Sequence, residues 1–409
     1  MKMLQSDSTN SKSLSTVWFV LILGSLISFG PLSMDMYLPA LPVVAEDLQT
    51  TTSLTQMSLT ACLLGLASGQ LIFGPLSDIR GRRKPLIYTL LIYAVASLLC
   101  AFSTTIWFFI GLRFVQGLTG AAGIVIARAA ARDLYSGADL TKFMALLSLV
   151  NGVAPILAPV SGGVILNFAS WKTIFILLSV IGLILFFVVT FFLPETLPIQ
   201  NRSEGSILAV VKTFGNLLKN RVFMGIAGTQ AFIMASMFAY ISGSPFVLQN
   251  IYGFTPQQFA LFFAVNGLGI IVAAQMTGRL STAVGDVRLL STGIVISLTG
   301  STLLLLTILF NLPLPILLIA LFLVVSSIGM VSTTSFSLGM QSQAKAAGSA
   351  SAFLGLLSYI GGAVISPIVG VMGDQTAVPM GIIIFACSIA ALSIFLFVVK
   401  KNIVNGYEF

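Results

Sequence analysis

The 409-residue sequence has no histidine, three cysteines and little charge. Cys62, Cys100 and Cys387 each lie alone inside an apolar run without CxxC spacing, so neither a disulfide framework nor a transition-metal site is expected. Without histidine, any proton relay must use carboxylates. Only 8% of the residues are charged, against ~25% in soluble domains, which excludes a soluble protein. There is no P-loop pattern, and serine-rich runs without histidine give no hydrolytic constellation. No enzyme is expected, and energy must come from an ion gradient. The 20 Lys and Arg against 12 Asp and Glu leave a net charge of +8. That excess is not gathered into a basic domain, so no nucleic-acid partner is expected.

What the sequence does hold is apolar: 57% of the residues are hydrophobic and the mean hydropathy is +1.05. A bilayer helix needs ~20 such residues. Twelve runs qualify, at 17–38, 53–73, 86–104, 106–128, 142–167, 172–193, 222–248, 256–280, 288–310, 313–336, 344–370 and 377–399. The run from Val17 is too long for a signal peptide and has no small-residue cleavage site after it, so it reads as the first span. An even number puts both termini on one side. If that side is cytoplasmic, it holds Lys2, Lys12, Arg80, Arg82, Arg83, Lys84, Arg128, Arg132, Lys142, Arg202, Lys212, Lys219, Arg221, Arg279, Arg288, Lys345, Lys400 and Lys401. Lys172 alone is outside and Arg113 lies within a span. This split follows the positive-inside rule.

The longest polar stretch, Pro194 to Arg221, divides the chain into an N-terminal bundle (1–199), a cytoplasmic linker (200–221) and a C-terminal bundle (222–409). Gly74, Leu76, Ser77, Gly81 and Leu86 after the second span recur as Gly278, Leu280, Ser281, Gly285 and Leu290 after the eighth, at an offset of 204. A repeat placed this way predicts an all-α membrane protein of twelve transmembrane helices in two pseudo-symmetric six-helix bundles, with a binding site between them.

With these features the chain resembles the major facilitator superfamily along essentially its whole length. The stretch from Gly74 to Lys84 is similar to that superfamily's signature loop between helices two and three, with Gly74, Asp78, Gly81, Arg82 and Arg83 in place and Ile79 at an often basic position. Pro31-Leu-Ser-Met-Asp35-Met-Tyr37-Leu-Pro39, Leu112-Arg113-Phe-Val-Gln116-Gly117 and Arg128-Ala-Ala-Ala-Arg132-Asp133 resemble the bicyclomycin-resistance type of drug:proton antiporter. The resemblance implies alternating access and export of small hydrophobic or amphipathic compounds against protons, in a bacterial cell membrane. It implies no cofactor beyond the proton gradient. The expected partners are substrate, protons and lipid, with the chain acting as a monomer. A dedicated metabolite or lipid transporter, or a non-transporting receptor, stays open as an alternative.

Asp35 is the one acid inside a span, where a charge costs ~2.5–3.5 kcal/mol on insertion scales. Gly24, Ser28, Pro31 and Asp35 share one helical face, small and polar, as a cavity lining would be. A carboxyl group poised between an apolar surrounding and a nearby cation can bind and release a proton. The alternative is a solvated residue at a helix end. Arg113 cannot be the proton carrier, because a guanidinium keeps its charge. It can bias Asp35, as the resemblance implies, or simply fix helices through Gln116 and backbone carbonyls. In the fifth span Pro155 and Pro159 remove backbone hydrogen bonds one turn apart, and Gly162 and Gly163 admit a close neighbour. The segment resembles a motif of facilitator antiporters. Asp78, Arg82, Arg83 and Asp133 can form an ionic latch at the cytoplasmic mouth. Candidate substrate-lining residues are Asp35, Tyr37, Gln230, Met234, Met237, Phe238, Tyr240, Asn266 and Tyr359, an adaptable methionine and aromatic wall. The same side chains could instead face lipid or neighbouring helices.

Overall fold

The computed structural model describes residues 18–202, 215, 217–343, 347–371, 373 and 375–404, all of them helix or connecting turns with no strand. Lys2, Lys12, Lys212 and Lys345, most of the expected linker and the start of the eleventh span lie outside the described residues. In a bilayer every backbone polar group must be satisfied within the chain, which leaves helices as the element that apolar runs of this length can form. The helices are α1 (Trp18–Ile27), α2 (Phe29–Asp35), α3 (Leu41–Asp47), α4 (Thr52–Arg80), α5 (Arg83–Ala101), α6 (Ile106–Leu134), α7 (Gly137–Ile165) and α8 (Lys172–Phe192) in the first half. The second half has α9 (Arg221–Phe246), α10 (Pro256–Val284), α11 (Asp286–Leu309), α12 (Leu314–Ser342), α13 (Ala347–Val369) and α14 (Val378–Ile394). Eleven spans are long and apolar enough to cross a membrane, and the bent pair Trp18–Ile27 with Phe29–Asp47 makes twelve.

Two expectations need correction. The first span does not end at 38 as one helix; it bends by 40° and continues to Asp47 through a 3-10 turn at Leu38–Ala40. Proline has no N–H to give the carbonyl four residues back. Pro31 and Pro39 therefore leave Ile27 and Asp35 without α-helical partners, Pro42 lets the Leu38 carbonyl accept only the 3-10 bond from the Leu41 N–H, and the helix breaks close to each. Secondly, the stretch from Gly74 is not a loop. Helix α4 runs through Pro75 to Arg80, and only Gly81 and Arg82 interrupt the chain before α5. Helices α6, α10 and α12 likewise extend to Leu134, Val284 and Ser342, past the apolar runs that announced them. Hydropathy marks where lipid ends, whereas a helix continues into water as long as its backbone is capped.

The repeat is visible in the backbone. Thr51 caps α4 by accepting from the Leu54 N–H at 3.3 Å, and Thr255 caps α10 by accepting from the Gln258 N–H at 3.2 Å. Gly81 and Gly285 end the same two helices at φ of +85° and +87°, a conformation that favours glycine. Both pairs keep the offset of 204.

The halves meet along two equivalent seams, α4 with α13 and α7 with α10. One end of the assembly carries Arg80, Arg82, Arg83, Lys84, Arg128, Arg132, Lys142, Arg202, Lys219, Arg221, Arg279, Arg288, Lys400 and Lys401. This is called the basic end below. At the opposite end the only described basic residue is Lys172.

Candidate functional site

Asp35 is the last residue of α2, placed at the break that Pro39 creates. It is buried, 7% exposed, and its carboxylate makes no ion pair or hydrogen bond among the described residues. It lies within coulombic reach of Arg113 and Cys62 in its own half and of Tyr240 and Tyr359 in the other. The carboxylate therefore stands where the halves face each other. The rest of its expected face packs tightly: Gly24 abuts Val150 of α7, and the Ser28 hydroxyl donates to the Gly24 carbonyl at 3.0 Å.

Arg113 on α6 is fully buried. Its Nη1 donates to the Ser33 carbonyl at 2.7 Å and to Gln116 Oε1, and Gln116 Nε2 donates to Ser97 Oγ at 2.8 Å. The guanidinium carbon sits 4.4 Å from the centre of the Tyr37 ring and 5.6 Å from that of Phe175. Cation–π contact of this kind stabilises a desolvated cation by about 2 kcal/mol. Nε and Nη2 nevertheless have no hydrogen-bond partner, and an unsatisfied buried donor costs ~1–3 kcal/mol, more when charged. Arg113 thus both fixes α6 to the Asp35 segment and remains an uncompensated positive charge beside it.

Tyr37 belongs to this core and not to an open wall. It is fully buried, its hydroxyl shares a 2.6 Å hydrogen bond with Ser58, and its ring packs on Phe175 at 5.5 Å and Phe109 at 6.2 Å. Trp171 closes the cluster from the opposite end, 5.8 Å from Phe109, and its indole N–H donates to Asp47 Oδ2 at 2.9 Å.

The second half contributes neutral groups. Asn266 Nδ2 on α10 donates to the Tyr240 hydroxyl at 2.8 Å, leaving Asn266 Oδ1 buried without a partner. Gln230 is also buried with an unpartnered Oε1. The Phe238 ring lies 6.4 Å from that of Tyr359, while Met234, Met237 and Tyr359 are half-buried beside the core.

The ionic cluster lies within the first half. Arg82 Nη1 reaches Asp78 at 2.5 Å and Ser77 Oγ at 2.8 Å, and Nε reaches Asp133 at 2.9 Å. Burial disfavours the Arg82 cation, but the hydrogen bonds and charges of Asp133 and Asp78 outweigh it and hold its pKa above the ordinary arginine value. Arg83 does not join the acids; its side chain donates to the Thr190 carbonyl. The unforeseen member is Glu195, which accepts the backbone N–H of Arg82 at 2.8 Å and of Arg83 at 3.2 Å and so caps α5 from beyond α8. Its place in the first polar stretch after six spans was the available signal. Ser33, Ser58, Tyr93 and Ser97 were likewise missed, being ordinary polar residues without motif spacing.

Pro155 and Pro159 sit inside a continuous α7. Beyond them Gly162 lies against the Met36 carbonyl, where any Cβ would collide. Gly163 faces Ala260 of α10, whose Cβ would be 3.0 Å away, and Gln257 Nε2 donates to the Gly163 carbonyl at 2.9 Å. The softened helix therefore reaches both the Asp35 break and the other half.

Comparison with known proteins agrees with this architecture. The Major Facilitator Superfamily profile matches residues 21–367. The chain is 45% identical to the uncharacterized MFS-type transporter YdgK of Bacillus subtilis over 93% of its own length and 95% of the relative's. It is 31% identical to a bicyclomycin resistance protein homolog of Haemophilus influenzae, covering 95% and 98% of the two chains. A bacterial homolog of the human lysosomal transporter Spinster, solved in an inward-facing and unoccupied conformation, shares the fold with a TM-score of 0.75 at 13% identity, over 95% and 98% of the chains.

Proposed function

The chain belongs to the Major Facilitator Superfamily, and from that premise we propose that it exports small hydrophobic or amphipathic compounds in exchange for protons. It is a multi-span membrane transporter and not an enzyme. The observation that carries the finer reading is Asp35, a buried carboxylate at a helix break between the halves with no ion pair or hydrogen bond among the described residues. A permanently ionised acid in that position would be costly. A reversibly protonated one is useful, because substrate and proton can compete for it as the halves rock. Arg113 beside it cannot release its own proton and serves to bias that competition. Efflux is supported by the bicyclomycin resistance name of the Haemophilus relative. In this reading the basic end and both termini are cytoplasmic, in line with the charge split, the protein works as a monomer, and the proton gradient is its only energy source.

The test is substrate-evoked proton movement in everted vesicles containing the full chain. The native protein should release protons on addition of a transported cationic dye. Asp35→Asn should lower that release to background while the protein stays folded and inserted. Unchanged coupling in Asp35→Asn would overturn the assignment.

A further inference from the structure

Five side-chain hydrogen bonds between described residues join the halves towards the end opposite the basic loops. Ser53 Oγ donates to the Pro367 carbonyl at 2.9 Å, Gln56 Nε2 to Ser242 at 2.9 Å and Thr60 Oγ1 to Ala363 at 3.0 Å. Gln249 Nε2 donates to the Pro39 carbonyl at 3.1 Å, and Gln257 Nε2 to Gly163 at 2.9 Å. At the basic end the ion pairs and hydrogen bonds of Arg82 stay within the first half and those of Asp286 within the second.

The five donors are neutral, and four of the five acceptors are carbonyls that their own helix cannot satisfy. Ala363 precedes Pro367 by four residues, so the amide that should bond it does not exist. Pro39 precedes Pro42 by three within a 3-10 turn, with the same result. The Pro367 and Gly163 carbonyls belong to the last turns of α13 and α7, where helical donors run out. An unsatisfied carbonyl in a dry interface is expensive, whereas water satisfies it readily. Each bond thus has two acceptable partners: a donor from the other half when the halves touch, and water when they part.

We propose that this end is a gate in which proline and helix-end carbonyls of each half are held by neutral donors of the other, with Pro367 freeing the Ala363 carbonyl for Thr60. Opening exchanges one satisfied hydrogen bond for another, so the closed state is favoured by a small margin that substrate and proton can reverse. The gate needs no ion pair, and its existence does not depend on which solute is carried.

The test uses the full chain in lipid nanodiscs with spin labels at Phe168→Cys and Phe310→Cys, exposed on the outer connections of the two halves. Cys62, Cys100 and Cys387 are buried. Thr60→Val keeps the side-chain shape and removes the donor. It should move the ratio of separated to closed outer ends by about threefold, the size of an average interhelical hydrogen bond in a membrane. Thr60→Ser should restore the native distribution. In a Pro367→Ala background, where the new amide satisfies Ala363, Thr60→Val should have less than half that effect. An unchanged distribution in Thr60→Val, or an equal effect in both backgrounds, would overturn the proposal. Coupling that persists in Asp35→Asn would overturn the proton-exchange reading without changing the Thr60 outcomes, so the two failures are distinguishable.

Discussion

The two halves share a skeleton and differ in chemistry. Every buried charged side chain among the described residues, Asp35, Arg82 and Arg113, belongs to the first half. The second half buries only neutral polar groups such as Thr229, Gln230, Ser236 and Asn266. The contrast is sharpest at the repeated turn. Where Gly81 is followed by Arg82, bonded to Ser77 and Asp133, Gly285 is followed by Asp286, which accepts from Ser281 at 2.5 Å, Ser337 at 2.5 Å and Gln341 at 3.5 Å. Asp133 and Gln341 are the penultimate residues of α6 and α12. Backbone geometry was kept through the repeat while the sign of the central charge reversed. One half buries charged groups, and the other buries neutral polar and apolar ones.

Substitutions can break or sharpen this division, beginning with the largest effect. Arg113→Met removes the buried cation and its bonds to Ser33 and Gln116. Coupled transport should fall at least ~10-fold, while stability should fall by about 1–3 kcal/mol because the Ser33 carbonyl and Gln116 Oε1 lose their donor. Transport assays beside a melting curve check both halves of that statement. Next, Arg82→Met leaves Asp78 and Asp133 without their cation and should cost ~1–3 kcal/mol. Asp286→Asn retains an acceptor for both hydroxyls and should cost less than about 1 kcal/mol. Equal losses in a denaturation series would mean that the inversion of charge has no energetic content. Gly81→Ala and Gly285→Ala form a finer pair. Both strain a positive φ with extended ψ, by about 1–3 kcal/mol, but an added Cβ at Gly81 would lie 2.5 Å from Glu195 Oε2, whereas at Gly285 it meets nothing. The first should melt at lower temperature than the second. The smallest effect belongs to the neutral half: Tyr240→Phe deletes the acceptor of Asn266. It should change apparent substrate affinity by about threefold to tenfold without altering protons released per substrate moved.

Much of the fold was legible in the sequence because lipid imposes simple rules. Twelve apolar runs, a one-sided distribution of Lys and Arg and the Gly81/Gly285 repeat led to the observed order of helices. The proximity of Arg113 to the Asp35 segment was also readable, since each is a charge that a span tolerates only for a reason. The break within the first span had its signal in Pro31, Pro39 and Pro42, but hydropathy alone averages over it. The seams between the halves were not legible. Ser53, Gln56, Thr60, Gln249 and Gln257 are common residues at interfacial positions, and their partners are backbone carbonyls, which leave no mark in a sequence. Tyr37 looked like cavity lining because aromatic residues near a membrane acid serve either purpose; only packing against Phe109 and Phe175 decides.

The outer seam also shapes how such a protein can diverge. A carbonyl oxygen survives nearly every codon change, so the accepting side of the seam is inherited regardless of what happens to its side chains. Natural variation can retune the closing strength only through a handful of donors and the prolines that expose their targets. Pocket residues on either side are thereby left free to drift toward new solutes without unmaking the motion that carries them.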